Sequence, residues 1–391
     1  MFTDPTSNRS NRSTTSAGVF FAMLYRTIAV LALAMALALG LASVSSAAAP
    51  PVSLKKAIWG PVFRDGVSQF PIYRDLGAGI YETNLKWSEI APQRPAHPTN
   101  PKDPVYHWPS DVDSAVREAA KYHMRVSLQL IFAPPWANGR RGANYAPLHV
   151  SDFNAFALAA ARRYPGVRLW MVWGEPSREA NFAPLTPEVR NRPLNRVQAR
   201  APHRYAQILD SAYGTLKRAN PRNLVIGGNT FVTGDISPFN WIRNLRLPNG
   251  RAPRMDMYGH NPFGMRKPDL RKPPTGYGFA DFSDLGRLAG WLDRYLSPRL
   301  PGHKRLPLFL SEYTLPTDHA NYEFNYYVDR STQADWLSAA LRITRRWSRI
   351  YTMGWISLYD QAPNSSHDEV NGGLLDYRGG KKPSYFAYRR G

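Results

Sequence analysis

The chain has 391 residues, of which 50 are Lys or Arg and 29 are Asp or Glu, for a formal charge of +21. It is 43% hydrophobic and 20% charged, enough apolar material for a large core, which excludes global disorder and collagen-like or low-complexity classes. Cysteine is absent, which excludes a disulfide scaffold, a thiolate nucleophile and a thiolate metal site, and the basic excess points to an anionic partner such as nucleic acid, an acidic glycan or a membrane surface.

The first element is an export signal. Met1 to Arg26 is polar and carries Arg9, Arg12 and Arg26 against Asp4; Ile28 to Ala42 is an unbroken apolar run; Ser43 to Ala49 holds only small residues and one Val, and Pro50-Pro51 follows. That order matches the charged, apolar and small-residue regions of a secretory signal, with cleavage expected near Ala47 or Ala48. An uncleaved anchor over Thr27 to Ala48 is the alternative, since that stretch is long enough to span a bilayer. No twin-Arg pair precedes the apolar run, which favours the general secretory route. Export without cysteine suggests a bacterial envelope or medium. Without residues 1–49 the charge is about +19. The expected organisation is a signal over 1–49 and one domain over 50–391.

Beyond the signal, short apolar runs alternate with amphipathic helical stretches, the pattern of a parallel α/β sheet. Eight runs read as strands: Lys56 to Val62, Gly79 to Leu85, Arg125 to Ile131, Val167 to Trp173, Asn223 to Gly228, Met255 to Gly259, Leu306 to Ser311 and Tyr351 to Ser357. They are bounded by Gly, Pro or Asn, as strands buried on both faces should be. Between them, Ser110 can cap a helix through Tyr122 and Ser151 one through Arg163, stopped by Pro165-Gly166. His203 to Ala219 places Tyr205, Ile208, Leu209, Ala212 and Leu216 on one stripe, and Leu285 to Tyr295 and Thr332 to Trp347 are similar. The expectation is an α/β fold, a single (β/α)8 TIM barrel with long βα loops. A doubly wound open sheet is the alternative, but no Gly-rich phosphate fingerprint follows the first strand. Long Pro-rich inserts at Ala91 to Trp108, Gly139 to Val150, Pro176 to Ala201 and Phe263 to Asp284 follow strands, which puts them on the functional face of a barrel.

Two acids stand at strand ends on that face. Glu175 closes Trp170-Met171-Val172-Trp173-Gly174-Glu175-Pro176, and Glu312 closes Leu308-Phe309-Leu310-Ser311-Glu312. Each follows an apolar run, where a carboxyl is costly unless it is paired, hydrogen-bonded or working. Either alone reads equally well as a structural acid bonded to an Arg or to backbone. Two facing each other across a barrel are the minimal machine for glycoside hydrolysis, one protonated to help the leaving oxygen depart and the other ionised to attack or to activate water.

On these residues the chain resembles glycoside hydrolase clan A. The Glu175 segment is similar to the clan's Trp-Asn-Glu-Pro signature, and Glu312 to its seventh-strand nucleophile. Trp87-Ser88-Glu89-Ile90, Tyr106-His107-Trp108, Pro134-Pro135-Trp136-Ala137, Arg163-Tyr164-Pro165-Gly166-Val167 and Gly373-Leu374-Leu375-Asp376 with Lys382-Pro383-Ser384-Tyr385 match in order, over Leu54 to Arg390. The flavour is family 39-like or family 5-like. The resemblance implies a retaining O-glycosidase of a polysaccharide or glycoconjugate, with Glu312 attacking the anomeric carbon, Glu175 as acid and then base, and the two carboxyls about 5–5.5 Å apart. His260 stands where the clan has its sixth-strand His, and Trp355 where it has a floor for the reacting sugar.

Three supporting positions depart from the clan: Gly174 replaces the Asn before the acid, Glu82 falls near the strand-two Arg, and Pro262 replaces a Tyr. These mark an atypical branch. Glu82 is either a third carboxylate that raises a neighbour's pKa or a partner for Arg64 or Arg141. A catalytically altered glycan-binding barrel of the envelope is the rival reading.

The expected substrate-binding set is Trp355, His260, Trp136, Asn229, Gly174, Glu82 and Tyr313. Trp136 reads as a rim platform for a sugar's C–H face, Asn229 as a substrate ligand or a turn cap, and Tyr313 and Tyr359 as pocket lining. Trp173 reads as structural, and Asp318, His319 and Glu323 as solvated loop groups. His367-Asp368-Glu369 lacks metal-ligand spacing, so no metal and no cofactor is expected. A calcium site built from loop carboxylates stays open. The expected partner is a carbohydrate polymer or oligosaccharide, anionic ones included, with cell-wall or membrane-surface association. Nucleic acid is not expected, because the basic residues are scattered and no binding motif appears.

Overall fold

The computed structural model describes residues 50–391 other than Glu323 and residues 364–369. The signal over 1–49, Glu323 and the His367-Asp368-Glu369 cluster lie outside the described residues. The described residues fall within one compact unit. Among them no helix is long and apolar enough to cross a membrane.

Eight strands form a closed, all-parallel barrel. In chain order with their helices they are β1 (Ser53–Trp59), α1 (Phe70–Asp75), β2 (Ala78–Lys86), α2 (Ser110–Lys121), β3 (Arg125–Ile131) and α3 (Val150–Arg163), followed by β4 (Leu169–Val172), α4 (Arg200–Ala219), β5 (Leu224–Phe231) and α5 (Pro238–Asn244). Then come β6 (Met257–Asn261), α6 (Leu285–Trp291), β7 (Leu308–Tyr313), α7 (Arg330–Arg346), β8 (Ile350–Trp355) and α8 (Pro383–Arg390). Each strand pairs with the next, and β1 closes the ring on β8 through Lys56↔Met353 and Ala57↔Gly354. The expected (β/α)8 barrel is the observed fold.

The strands are short because they are buried on both faces. Leu169 to Val172 and Met257 to Asn261 are buried throughout. Ala57, Ile80, Leu169, Met171, Ile226, Met257 and Phe309 form an apolar cluster drawn from six strands, the layered filling of a small barrel. A second, larger core lies between sheet and helices. There Tyr205 of α4 donates from its hydroxyl to Val172 O at 2.7 Å and accepts from the Gly228 N–H at 2.9 Å, pinning one helix to two strands.

Several boundaries move. β1 starts at Ser53 rather than Lys56, because Lys56 belongs inside: it is 3% exposed and its ammonium donates to Tyr388 O at 2.9 Å. β4 stops at Val172 because Trp173 turns into the left-handed region at φ 67°. Neither expected serine cap forms. Pro109 and His149 hold the N-cap positions of α2 and α3, without a side-chain cap bond, and Ser110 and Ser151 are already helical. α6 ends at Trp291 and continues as one wider π turn, Leu292–Leu296. The short helices α1, α5 and α8 are not among the expected elements, although Ser237 caps α5 by accepting from the Asn240 N–H, with Pro238 next. The four Pro-rich inserts follow β2, β3, β4 and β6, so all lie at one end of the barrel.

Candidate active site

That end carries both acids. Glu175 lies three residues past β4, after two left-handed residues in three: Trp173 at φ 67° and Glu175 itself at φ 43°. A non-glycine residue there costs about 1–2 kcal/mol, and such strain concentrates at working sites. Three donors hold the carboxylate. Asn261, the last residue of β6, donates to Oε1 at 2.8 Å. Arg178 and Asn181 donate to Oε2 at 3.0 and 3.2 Å. The side chain is 9% exposed and the Arg178 guanidinium caps the ring of Phe231, the last residue of β5, at 4.5 Å. Arg178 was legible as the basic residue three positions after Glu175; Asn261 was not, since it lies 86 residues away.

Glu312 is the one residue of β7 that is not fully buried. The preceding Ser311 donates its hydroxyl to Glu82 Oε2 at 2.9 Å, and its carbonyl accepts from the Trp59 indole N–H at 3.0 Å. Glu82, on β2, is 1% exposed and its Oε1 has no partner. Burial raises its pKa well above the ordinary carboxylate value, the Ser311 bond works against that, and the like charge of Glu312 adds to it. Burial therefore favours the protonated form of Glu82. Gly354 on β8 makes room for it, since a Cβ there would stand 2.4 Å from Glu82 Oε1 and 2.0 Å from Ser311 O. Of the two expected roles for Glu82, pairing with Arg64 or Arg141 is overturned: Arg64 lies over the Tyr359 ring at 4.2 Å and Arg141 over Tyr145 at 5.2 Å.

A polar ladder joins β2, β3 and β5 around the end of β4. Gln129 of β3 donates to Asn84 Oδ1 at 2.7 Å and accepts from Asn229 Nδ2 at 3.2 Å. Asn229, at φ 41°, is fully buried with Oδ1 unpartnered. Gly174 is explained by Gln129: a Cβ at 174 would lie 2.6 Å from Gln129 Nε2. The glycine is thus no substrate ligand but a gap that the glutamine amide fills. Gly174→Asn is expected to displace Gln129, break the ladder and cost about 1–3 kcal/mol in thermal or urea unfolding. Adding Gln129→Ala should return most of that loss.

Four expected contacts are corrected. His260 is fully buried, with Nδ1 on Thr230 Oγ1 at 2.9 Å and Nε2 on Ala280 O at 2.8 Å; burial pushes its pKa down to about 4. Both ring nitrogens are occupied, so it pins β6 to β5 and to the following loop instead of meeting substrate. Trp355 is fully buried, its indole N–H donates to Gly372 O at 3.0 Å, and it packs edge-on against Tyr313 at 5.8 Å. Tyr313 is 1% exposed between Trp355 and Phe282, so neither ring offers an open face. Trp136 donates to Ala91 O at 2.8 Å and carries the Arg94 guanidinium over its ring at 4.4 Å; it joins the loops after β2 and β3. Asp318 is paired with Arg330 at 3.0 Å rather than simply solvated. Among the described residues no group of three His, Cys, Asp or Glu side chains is placed to hold a metal ion.

The aromatic surface on this face is elsewhere. Phe231, Phe263, Phe324 and Tyr326 run in a chain with ring centroids 5.6, 5.4 and 5.9 Å apart. They line a cleft of about 390 Å³ that had no local sequence signal.

No protein-family model and no curated protein matches the sequence. Solved structures do resemble it. A family 39 glycoside hydrolase from Bacteroides cellulosilyticus WH2 superposes with a TM-score of 0.60 at 18% identity, over 86% of this chain and 63% of that one. A glucosidase from Croceicoccus marinus gives 0.61 at 14%, over 85% and 64%, and a family 39 β-xylosidase from Caulobacter crescentus gives 0.57 at 17%, over 88% and 72%. The chain therefore spans less than two thirds of the first two. At these identities the likeness establishes the fold alone, an eight-stranded parallel barrel.

Proposed function

We propose that the chain is a retaining O-glycoside hydrolase of a polysaccharide or glycoconjugate. The observation that carries the reading is the pair of carboxyls, Glu175 and Glu312, at the same end of the barrel, past β4 and on β7. The resemblance of the barrel to family 39 glycosidases supports it. In the first step the Glu312 carboxylate bonds to the anomeric carbon, the bond to the leaving oxygen breaks, and the Glu175 proton moves to that oxygen. In the second, Glu175 takes a proton from water, the water oxygen bonds to the anomeric carbon, and the ester to Glu312 breaks.

Export to a bacterial envelope belongs to the same proposal and rests on the signal-like order of residues 1–49. The +21 charge supports an acidic glycan or retention on an anionic wall.

The test is a screen of 4-nitrophenyl xylosides, glucosides and glucuronides of both anomers with bacterial and plant polysaccharides, using Glu312→Gln as the blank. Proton NMR of the first-formed sugar is expected to show the anomer of the substrate. Inversion would remove the double displacement. Glycan binding with no turnover by the wild-type chain would favour the non-catalytic barrel.

A further inference from the structure

The cleft beside Glu175 is walled by Phe231, Phe263, Met265, Phe279, Phe324 and Tyr326. It adjoins the catalytic acid on two sides. Phe231 lies under the Arg178 guanidinium that bonds Glu175 Oε2, and Phe263 lies two residues after Asn261, which bonds Oε1. A group leaving with the Glu175 proton therefore departs beside this wall.

Most of the charged and hydroxyl groups of the cleft are engaged with one another, while the Thr233 and Asn325 side chains also line it. Arg266 donates to Asp281 Oδ1 at 2.9 Å and to Asp284 at 3.0 Å, and its third nitrogen faces Pro273 O. Asp281 also accepts from the Ser283 and Asp284 N–H groups. Thr275 Oγ1 donates to Asp284, and Tyr326 to Gly264 O at 3.4 Å. A sugar ring placed here would find partners for few of its hydroxyls, chiefly Thr233 and Asn325, and each hydroxyl buried against the phenyl walls would cost about 1–3 kcal/mol, whereas an apolar group gains from those walls. Met265, 68% exposed at the mouth, is a flexible apolar side chain suited to covering such a group.

We infer that this cleft receives the leaving group of the substrate, and that this leaving group is apolar, an aryl or alkyl aglycone rather than a second sugar. The inference rests on the hydrolase reading for the word "leaving group" but not for the chemistry of the ligand. On it, the substrate narrows from polysaccharide to a glycoconjugate with an apolar aglycone.

The test titrates the full chain with free 4-methylumbelliferone, followed by fluorescence anisotropy, and needs no turnover. One saturable site is expected in the wild type and in Glu175→Gln, with affinity about tenfold lower in Phe263→Ala and Phe324→Ala. Met265→Glu, at the exposed mouth where folding is not at stake, is expected to weaken binding as well. Glucose and cellobiose should not displace the dye. Displacement by 1-octanol assigns alkyl aglycones and resistance to it assigns flat aromatic ones, and either supports the cleft as apolar. Absence of saturable binding, equal binding by all three cleft variants and the wild type, or displacement by cellobiose overturns it. A chain that binds the dye but cleaves no glycoside removes the hydrolase reading and leaves the ligand class standing. A chain that cleaves glycosides without binding the dye removes only the cleft.

Discussion

Glu312→Gln is expected to abolish hydrolysis of every substrate, whatever its leaving group, while Glu175→Gln is expected to show a loss that depends on the leaving group. An amide at 312 cannot ionise, so no covalent glycosyl ester forms with any substrate. An amide at 175 cannot give a proton, which costs about 10²–10⁴-fold where the leaving oxygen needs one. A 4-nitrophenolate leaves without protonation, so its departure should be nearly unaffected and the slow step should move to hydrolysis of the ester, seen as a burst of nitrophenol. The check is kcat/KM for aryl glycosides of increasing leaving-group basicity in both variants. A flat, equal loss in the two would remove the separate roles. Circular dichroism should show both folded. Each change is a single-atom exchange, and Glu312 in particular is partly exposed on its strand.

The second large effect concerns Glu82. Its pKa in the folded chain is raised, first by burial and then by the charge of Glu312. A folded state that holds this proton more tightly than the unfolded chain binds more protons between the ordinary value of 4.5 and the raised one. Stability therefore falls as pH climbs through that window, by about 1.4 kcal/mol per pH unit for one proton. Below the window both states are protonated and the contribution is constant. Glu82→Gln keeps a neutral group of the same shape and has no proton to lose. The expected result in urea unfolding is near equality with the wild type at pH 4 and an advantage for the variant that grows as the pH rises above about 5. The groups nearest the carboxyl are the Ser311 hydroxyl, Glu312, and Tyr388, whose own ionisation burial and Glu82 both oppose. No cation among the described residues forms an ion pair with Glu82 that would reverse the sign. A parallel pH dependence of the two proteins would mean that Glu82 is ionised in the fold.

The barrel and its two acids were legible because they depend on local order: an apolar run of strand length, then a charge. The eight runs needed only shifts at their ends, and the largest of these, at β1, arose because Lys56 reads as a boundary and is in fact an interior ammonium bonded to backbone. The recognition side chains were not legible. Whether a tryptophan has an open face depends on what folds over it, and Trp136 is covered by Arg94, 42 residues away, while Trp355 is shut in by Tyr313 and Gly372. The same holds for Gly174. Its meaning lies in Gln129, on a neighbouring strand, and only the third dimension puts the amide into the gap. The aromatic cleft assembles Phe231 from the end of β5 with Phe263 and Phe324 from the loops after β6 and β7, a grouping that no periodicity announces.

Closure of the ring on its own first strand has a consequence for how the chain is made. β1 emerges from the ribosome about 300 residues before its partner β8 (Lys56 pairs with Met353), and one edge of it stays open until then. The last helix then secures it: Tyr388 takes the Lys56 ammonium on its carbonyl and gives its hydroxyl to Ala57 O at 2.8 Å. Such long-range pairing makes folding slow and leaves an adhesive strand on display throughout synthesis. If the chain is exported unfolded, as proposed, that delay is useful, because the ring is completed only by a strand made about 300 residues after its first one.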